Sequence, residues 1–186
     1  MFRSSWPMAV QRAAFRRLAT VAGLIVLSAK TAALAHVTLE QPQTSVGAPY
    51  KVVLRVPHGC GNSATIRLAV QIPEGVIAVK PMVKPGWQIA TSRGPYAKAY
   101  SYFHGAKFDE GVKEVVWSGG TLPNAFYDEF ILSVFIAGDL PPGQILYFPV
   151  VQQCEQGAHR WVDIPADGKP ADEPAPGLKL MPKKQE

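Results

Sequence analysis

Four histidines, two cysteines and a few paired carboxylates are the side chains here that could do chemistry. His36 is the most informative of them because of what precedes it. Ala33-Leu34-Ala35 places small side chains at the two positions that a signal peptidase reads. Cleavage after Ala35 makes His36 the first residue of the mature chain. An N-terminal histidine offers two nitrogens, its free α-amine and ring Nδ1, and together they close a chelate ring on one metal ion. The amine titrates near about 7.7–8.0, so a metal displaces its proton at neutral pH. Amine and imidazole nitrogens suit Cu(II) better than Mg(II) or Ca(II), and the affinity order for divalent ions peaks at copper.

A copper ion takes more than two donors. Glu129 opens the most apolar run of the chain and is the first candidate carboxylate, although a surface charge at a strand end reads the same way. Glu40 follows His36 by four residues, about 13 Å on an extended strand, too far to share one ion. His159 stands two residues from Trp161 and is a further candidate ligand if a strand extends that far. His58 adjoins Cys60 and reads as part of that cysteine's loop, and His104 sits in a turn-like context with no assigned role. Met82 and Met181 are the only methionines beyond residue 35, so there is no Met-rich Cu(I) motif. The nucleophile elbow, the His-Glu-x-x-His zinc motif and phosphate-cradling loops are all absent. Neighbouring carboxylates such as Asp109-Glu110, Asp128-Glu129 and Asp172-Glu173 point apart on a strand and read as solvated charges. No catalytic constellation emerges.

The leader that must be removed to expose His36 has the secretory order. Arg3, Arg12, Arg16 and Arg17 form a basic start, and Leu18 to Ala29 is an apolar run of 12 residues. A transmembrane span needs about 20 residues. Residues 1–35 are therefore expected to be a signal peptide, and the protein to be periplasmic. This also reinterprets the net charge of +5. Five of the 19 basic residues and none of the 14 acids lie in the leader. The mature chain is formally neutral and carries no electrostatic footprint for nucleic acid.

The elements available to position His36 are strands. Short β-rich runs with period-two alternation dominate after residue 36. They cover Tyr50–Val56, Ala64–Ile72, Val76–Val79, Trp87–Thr91, Ala99–Phe103, Lys113–Trp117, Glu129–Ala137, Ile145–Val151 and Arg160–Ile164. Pro73-Glu74-Gly75, Lys84-Pro85-Gly86 and Pro141-Pro142-Gly143 mark turns between them. Seven to nine such strands predict an all-β, antiparallel sandwich of the immunoglobulin or cupredoxin kind over residues 36–165. Pro149 predicts an edge position or a bulge. Residues 166–186, rich in proline and charge, read as a mobile or loosely docked tail. Cys60 and Cys154, an even count in an exported chain, suggest a disulfide. A two-Cys metal site is the alternative, without Cys-x-x-Cys spacing to support it.

Several short pieces occur together in order: His36-Val37-Thr38-Leu39-Glu40, Tyr50 to Pro57, Ile72-Pro73-Glu74-Gly75, Lys84-Pro85-Gly86-Trp87 and Glu114-Val115-Val116-Trp117. Tyr127-Asp128-Glu129-Phe130, Leu140-Pro141-Pro142-Gly143 and Trp161 complete the set. In this the chain resembles YcnI-type copper-binding proteins over residues 36–165. The contexts of Cys60 and Cys154 are similar to the proteobacterial branch. The resemblance implies a Cu(II) site formed by a mono-histidine brace, the amine and Nδ1 of His36, with Trp161 beside the metal. A neutral indole donates no lone pair, so Trp161 would wall off water, stack beside the ion or tune its redox behaviour. Trp87 and Trp117 keep a core reading. The expected function is copper buffering, trafficking or delivery to a copper-transport membrane protein or another periplasmic copper chaperone. A copper-dependent oxidative enzyme is a second reading, and a metal-independent interaction domain for a membrane partner is a third.

Overall fold

The computed structural model describes residues 36–165 and 171–184. The predicted signal peptide and cleavage site before His36, with residues 166–170 and 185–186, lie outside the described residues. Twelve strands and one short 3-10 turn (Phe103–Gly105) make up the described fold, with no α-helix among these residues. The strands are β1 (Thr38–Leu39), β2 (Gln43–Ser45), β3 (Pro49–Val56), β4 (Thr65–Gln71), β5 (Val76–Pro81) and β6 (Gln88–Ser101). They continue as β7 (Lys107–Leu122), β8 (Asp128–Ile136), β9 (Ile145–Tyr147), β10 (Val150–Cys154), β11 (Ala158–Trp161) and β12 (Gly177–Met181).

Two larger sheets make the sandwich. One runs β1-β3-β8-β5 and the other β11-β10-β4-β7-β6. A third, small sheet runs β2-β12-β9, with β12 parallel to β2 and antiparallel to β9. The expected all-β immunoglobulin-like class holds. The count exceeds nine because two- and three-residue strands at the margins carry too little alternation to be read from sequence.

Alternation decides which face each main strand buries. In β3, Tyr50, Val52, Leu54 and Val56 are buried, while Lys51 and Arg55 are exposed. Leu68 and Val70 of β4 and Phe130, Leu132 and Val134 of β8 join the same core, around Trp117 of β7. Each fully buried Val, Leu or Phe there contributes about 1.5–3 kcal/mol. The Pro73-Glu74-Gly75 turn ends on Gly75 at φ +84°, a left-handed conformation that glycine adopts freely.

Three segments depart from the expectation. The separate runs at 87–91 and 99–103 are one long strand, β6, hairpin-paired to β7, and much of this arm is exposed on both faces. Pro149 separates β9 from β10, and its carbonyl accepts a hydrogen bond from Gln71 N–H at 2.9 Å. The domain does not stop at 165. Residues 171–184 return to it as β12, with Leu178 and Leu180 fully buried. The five-residue alternation Gly-Leu-Lys-Leu-Met follows a run of prolines that masks it.

Cys60 and Cys154 form the disulfide (S–S 2.06 Å), tying the loop after β3 to the end of β10. With the thiols joined, the two-Cys metal alternative falls away.

Candidate metal centre

His36 precedes β1, the edge strand of one sheet. Trp161 ends β11, the edge strand of the other. The fold brings these two edges together, and the His36 ring lies 5.2 Å from the Trp161 ring, tilted by 52°. Val37 is buried and anchors the chain at this point, while His36 itself stays partly exposed. Beside them, residues of β1 and of the 174–177 segment line an open groove of about 350 Å³.

Trp161 is fixed from behind. It is 3% exposed, and its indole N–H donates to Gln152 Oε1 at 3.0 Å. Gln152, on β10, is fully buried and spends its amide N–H groups on the His58 carbonyl (2.7 Å) and Thr65 Oγ1 (2.8 Å). Three polar groups are thus satisfied through one buried amide, as burial requires. The disulfide adjoins this network, with Thr65 Oγ1 3.8 Å from Cys154 Sγ.

His159 stacks on Trp161 at 4.7 Å with an interplanar angle of 27°. Its Nδ1 lies 2.7 Å from Glu173 Oε1, and the Arg160 N–H donates to Glu173 Oε2 at 2.8 Å. Burial pushes the Glu173 carboxyl up, but hydrogen bonds and charge from His159 and Arg160 outweigh it and hold the group below the usual carboxylate range. The His58 ring is next, 6.3 Å from His159 and edge-on. Its Nδ1 contacts the Gly59 carbonyl, and its Nε2 is buried without a hydrogen-bond partner.

Glu129 is not gathered here. Arg55 and Glu129 face each other across β3 and β8, and Arg55 Nε donates to the Glu129 carboxylate at 3.2 Å. The same guanidinium takes Glu40 at 3.2 Å. Among the described residues, no three His, Cys, Asp or Glu side chains converge as a metal site. A brace asks less, since one histidine supplies both of its nitrogens. The donor set at this edge fits a one-residue chelate against an aromatic wall and does not fit an all-protein cage.

A family model described as a domain of unknown function (DUF1775) matches residues 36–180. The chain belongs to the DUF1775 family. The DUF1775 match begins at His36 and ends at residue 180 within β12, so it reaches well past residue 165. The chain is also similar to an uncharacterized protein from Nocardia farcinica, whose crystal structure reveals an immunoglobulin-like fold. The two are 26% identical, with a TM-score of 0.59, over 79% of this chain and 99% of that one. No curated protein matches the chain.

Two residues of this DUF1775 site escaped sequence reading. Gln152 faces Trp161 because it alternates inward along β10, where it pairs with His159, and that alternation was the available signal. Glu173 carried none, because an acid in a proline-rich stretch gives no sign of the strand it will meet.

Proposed function

We propose that the exported protein binds Cu(II) through the α-amine and Nδ1 of His36 once the leader is removed, and that it buffers copper or passes it on in the periplasm. The YcnI-type copper-binding proteins, which the sequence resembles, supply the chemical precedent. The observation that carries the reading is the packing of the His36 ring against a buried, hydrogen-bond-fixed Trp161. The start of the family match at the residue the peptidase would expose supports it as well.

His36 would hold the ion, and the ion would supply Lewis-acid and one-electron chemistry when bound. The Trp161 indole covers one side with apolar surface, and its N–H is already committed to Gln152. His159, held by Glu173, stacks on the indole and helps fix it. So few protein donors leave positions open to a partner's ligand, which suits transfer to a copper-transport membrane protein or another chaperone. Glu129 has no part in this reading, since Arg55 holds its carboxylate.

The test is isothermal titration of the processed protein with Cu(II), after mass spectrometry of its N-terminus. A chain that begins at His36 and binds one equivalent, with binding lost in His36→Ala, is expected. Processing at another position, or undiminished binding by His36→Ala, would overturn the reading.

A further inference from the structure

The end of the sandwich that carries His36 also carries a group of bare apolar side chains. Thr38, Arg55 and Glu129 stand in one row across β1, β3 and β8. His36 lies two residues beyond that row before β1, and Tyr127 lies two residues beyond it before β8. Neighbouring strands are about 4.8 Å apart, so these two segments meet the sheet about 10 Å from each other. The loop after β5 joins them. Met82 N–H donates to the Ile131 carbonyl at 2.9 Å, and Lys84 Nζ reaches Asp128 Oδ2 at 2.7 Å and the Glu129 carbonyl at 3.0 Å.

On these two adjoining loops Val83 is 83% exposed, Tyr127 65%, Phe126 63% and Met82 52%. Single exposed apolar residues are ordinary, but four on one end, on the order of 500 Å² together, reach the size that marks an interaction surface.

Charge, size and the copper site point to one occupant. The charges along the row are already matched: Asp128 pairs with Lys84, and Glu40 and Glu129 both pair with Arg55 at 3.2 Å. A second copy can therefore meet the pad without burying an unpaired charge, which is costly. The pad falls short of the roughly 800 Å² per partner of a stable interface, so it does not hold two copies by itself. The His36 chelate is also incomplete. It gives two nitrogens, and Cu(II) favours a tetragonal set. His36 is partly exposed, so a second His36 can supply the other two. A two-fold axis along the row sets pad against pad and His36 against His36.

We propose that at half an equivalent of Cu(II) two copies of this chain meet end to end at this pad and share one ion, each giving the α-amine and Nδ1 of its His36. The inference rests on the copper reading above. At one equivalent each His36 takes its own ion and the pair separates.

The test is sedimentation velocity of the processed protein at zero, half and one equivalent of Cu(II), with an electron paramagnetic resonance spectrum at half an equivalent. A monomer, a dimer and a monomer are expected in that order, with four-nitrogen splittings in the dimer. Phe126→Ser with Tyr127→Ser is expected to weaken the pairing by about 10–100-fold and still take one equivalent. Val83→Asp, which sets like charges across the axis, is expected to prevent pairing. A monomer at half an equivalent, with His36-dependent binding intact at one equivalent, would overturn the shared site and leave the copper reading standing. No His36-dependent binding at any ratio would remove both. A dimer without copper, or one indifferent to the Phe126, Tyr127 and Val83 variants, would also overturn the proposal. So would a chain that stays monomeric at half an equivalent and floats with phosphatidylcholine vesicles through Phe126 and Tyr127, which would assign the pad to lipid.

Discussion

Trp161 at the meeting of the sheet edges and Tyr96 on the β6–β7 arm are both buried aromatics with one polar atom. The fold treats that atom in opposite ways. Trp161 N–H is held by Gln152, which also serves Thr65 and the His58 carbonyl, and a disulfide adjoins the set. Tyr96 hydroxyl is held by nothing. One region is cross-linked and its indole N–H is partnered, so it can hold a ring still beside His36. The other leaves a buried hydroxyl without a hydrogen-bond partner. Rigidity belongs where a ring must be presented at a fixed place.

The largest effect expected from breaking this contrast is at the disulfide. The double variant Cys60→Ser, Cys154→Ser reopens a 94-residue separation, and chemical denaturation should show a loss of up to about 4–5 kcal/mol on the chain-entropy account. Gln152→Leu comes next. It strands an indole N–H, a carbonyl and a hydroxyl together, so a loss of about 2–4 kcal/mol is expected in the same assay. Tyr96→Phe sharpens the contrast by going the other way. Removing an unpartnered buried hydroxyl should leave stability unchanged or raise it by up to about 1 kcal/mol.

The smallest effects are those of pH. Tyr100 is buried, and burial, followed by its hydrogen bond to Glu74 and that carboxylate's charge, pushes its pKa up to about 12 from 10. A group whose folded pKa is raised stabilises below its unfolded value and loses that contribution as pH rises, here between 10 and 12. Thermal unfolding of Tyr100→Phe across that window should fall less steeply than that of the parent. Tyr50, raised to about 12 by burial and by the charge of Glu40, and Tyr96, raised by burial, contribute to the slope that remains. Glu74 has the opposite sign. Burial pushes it up, but Lys113, the Ala97 N–H and Tyr100 outweigh this and hold it low. Its contribution is present above its unfolded pKa and lost as pH falls through its folded one, so Glu74→Gln should flatten the acid limb of the same melting curve slightly.

Much of the fold was legible because β3, β4 and β8 each bury one face, and burial writes itself as alternation. The β6–β7 arm was harder to read. Exposed on both faces for much of its length, it has no reason to alternate, and one strand read as two. β12 was missed because two leucines in a proline-rich stretch look like a tail until β2 and β9 are there to receive them. At the candidate site, His36 stands out in the sequence through the cut expected after Ala-Leu-Ala. Trp161 was named through resemblance, and its place beside His36 depends on two edge strands far apart in sequence. Glu129 was misplaced because an acid at the mouth of an apolar strand looks like a ligand. Across β3 sits Arg55, and the ion pair with it is a contact that sequence spacing does not reveal.

On the proposed reading, removing the leader creates the ligand. The most direct test is the electron paramagnetic resonance spectrum of the protein with one equivalent of Cu(II), recorded for a chain beginning at His36 and for one with a single alanine placed before it. A tetragonal spectrum with nitrogen splittings in the first, lost or replaced by a weaker and different centre in the second, is the expected result. The same spectrum and the same affinity in both would contradict it.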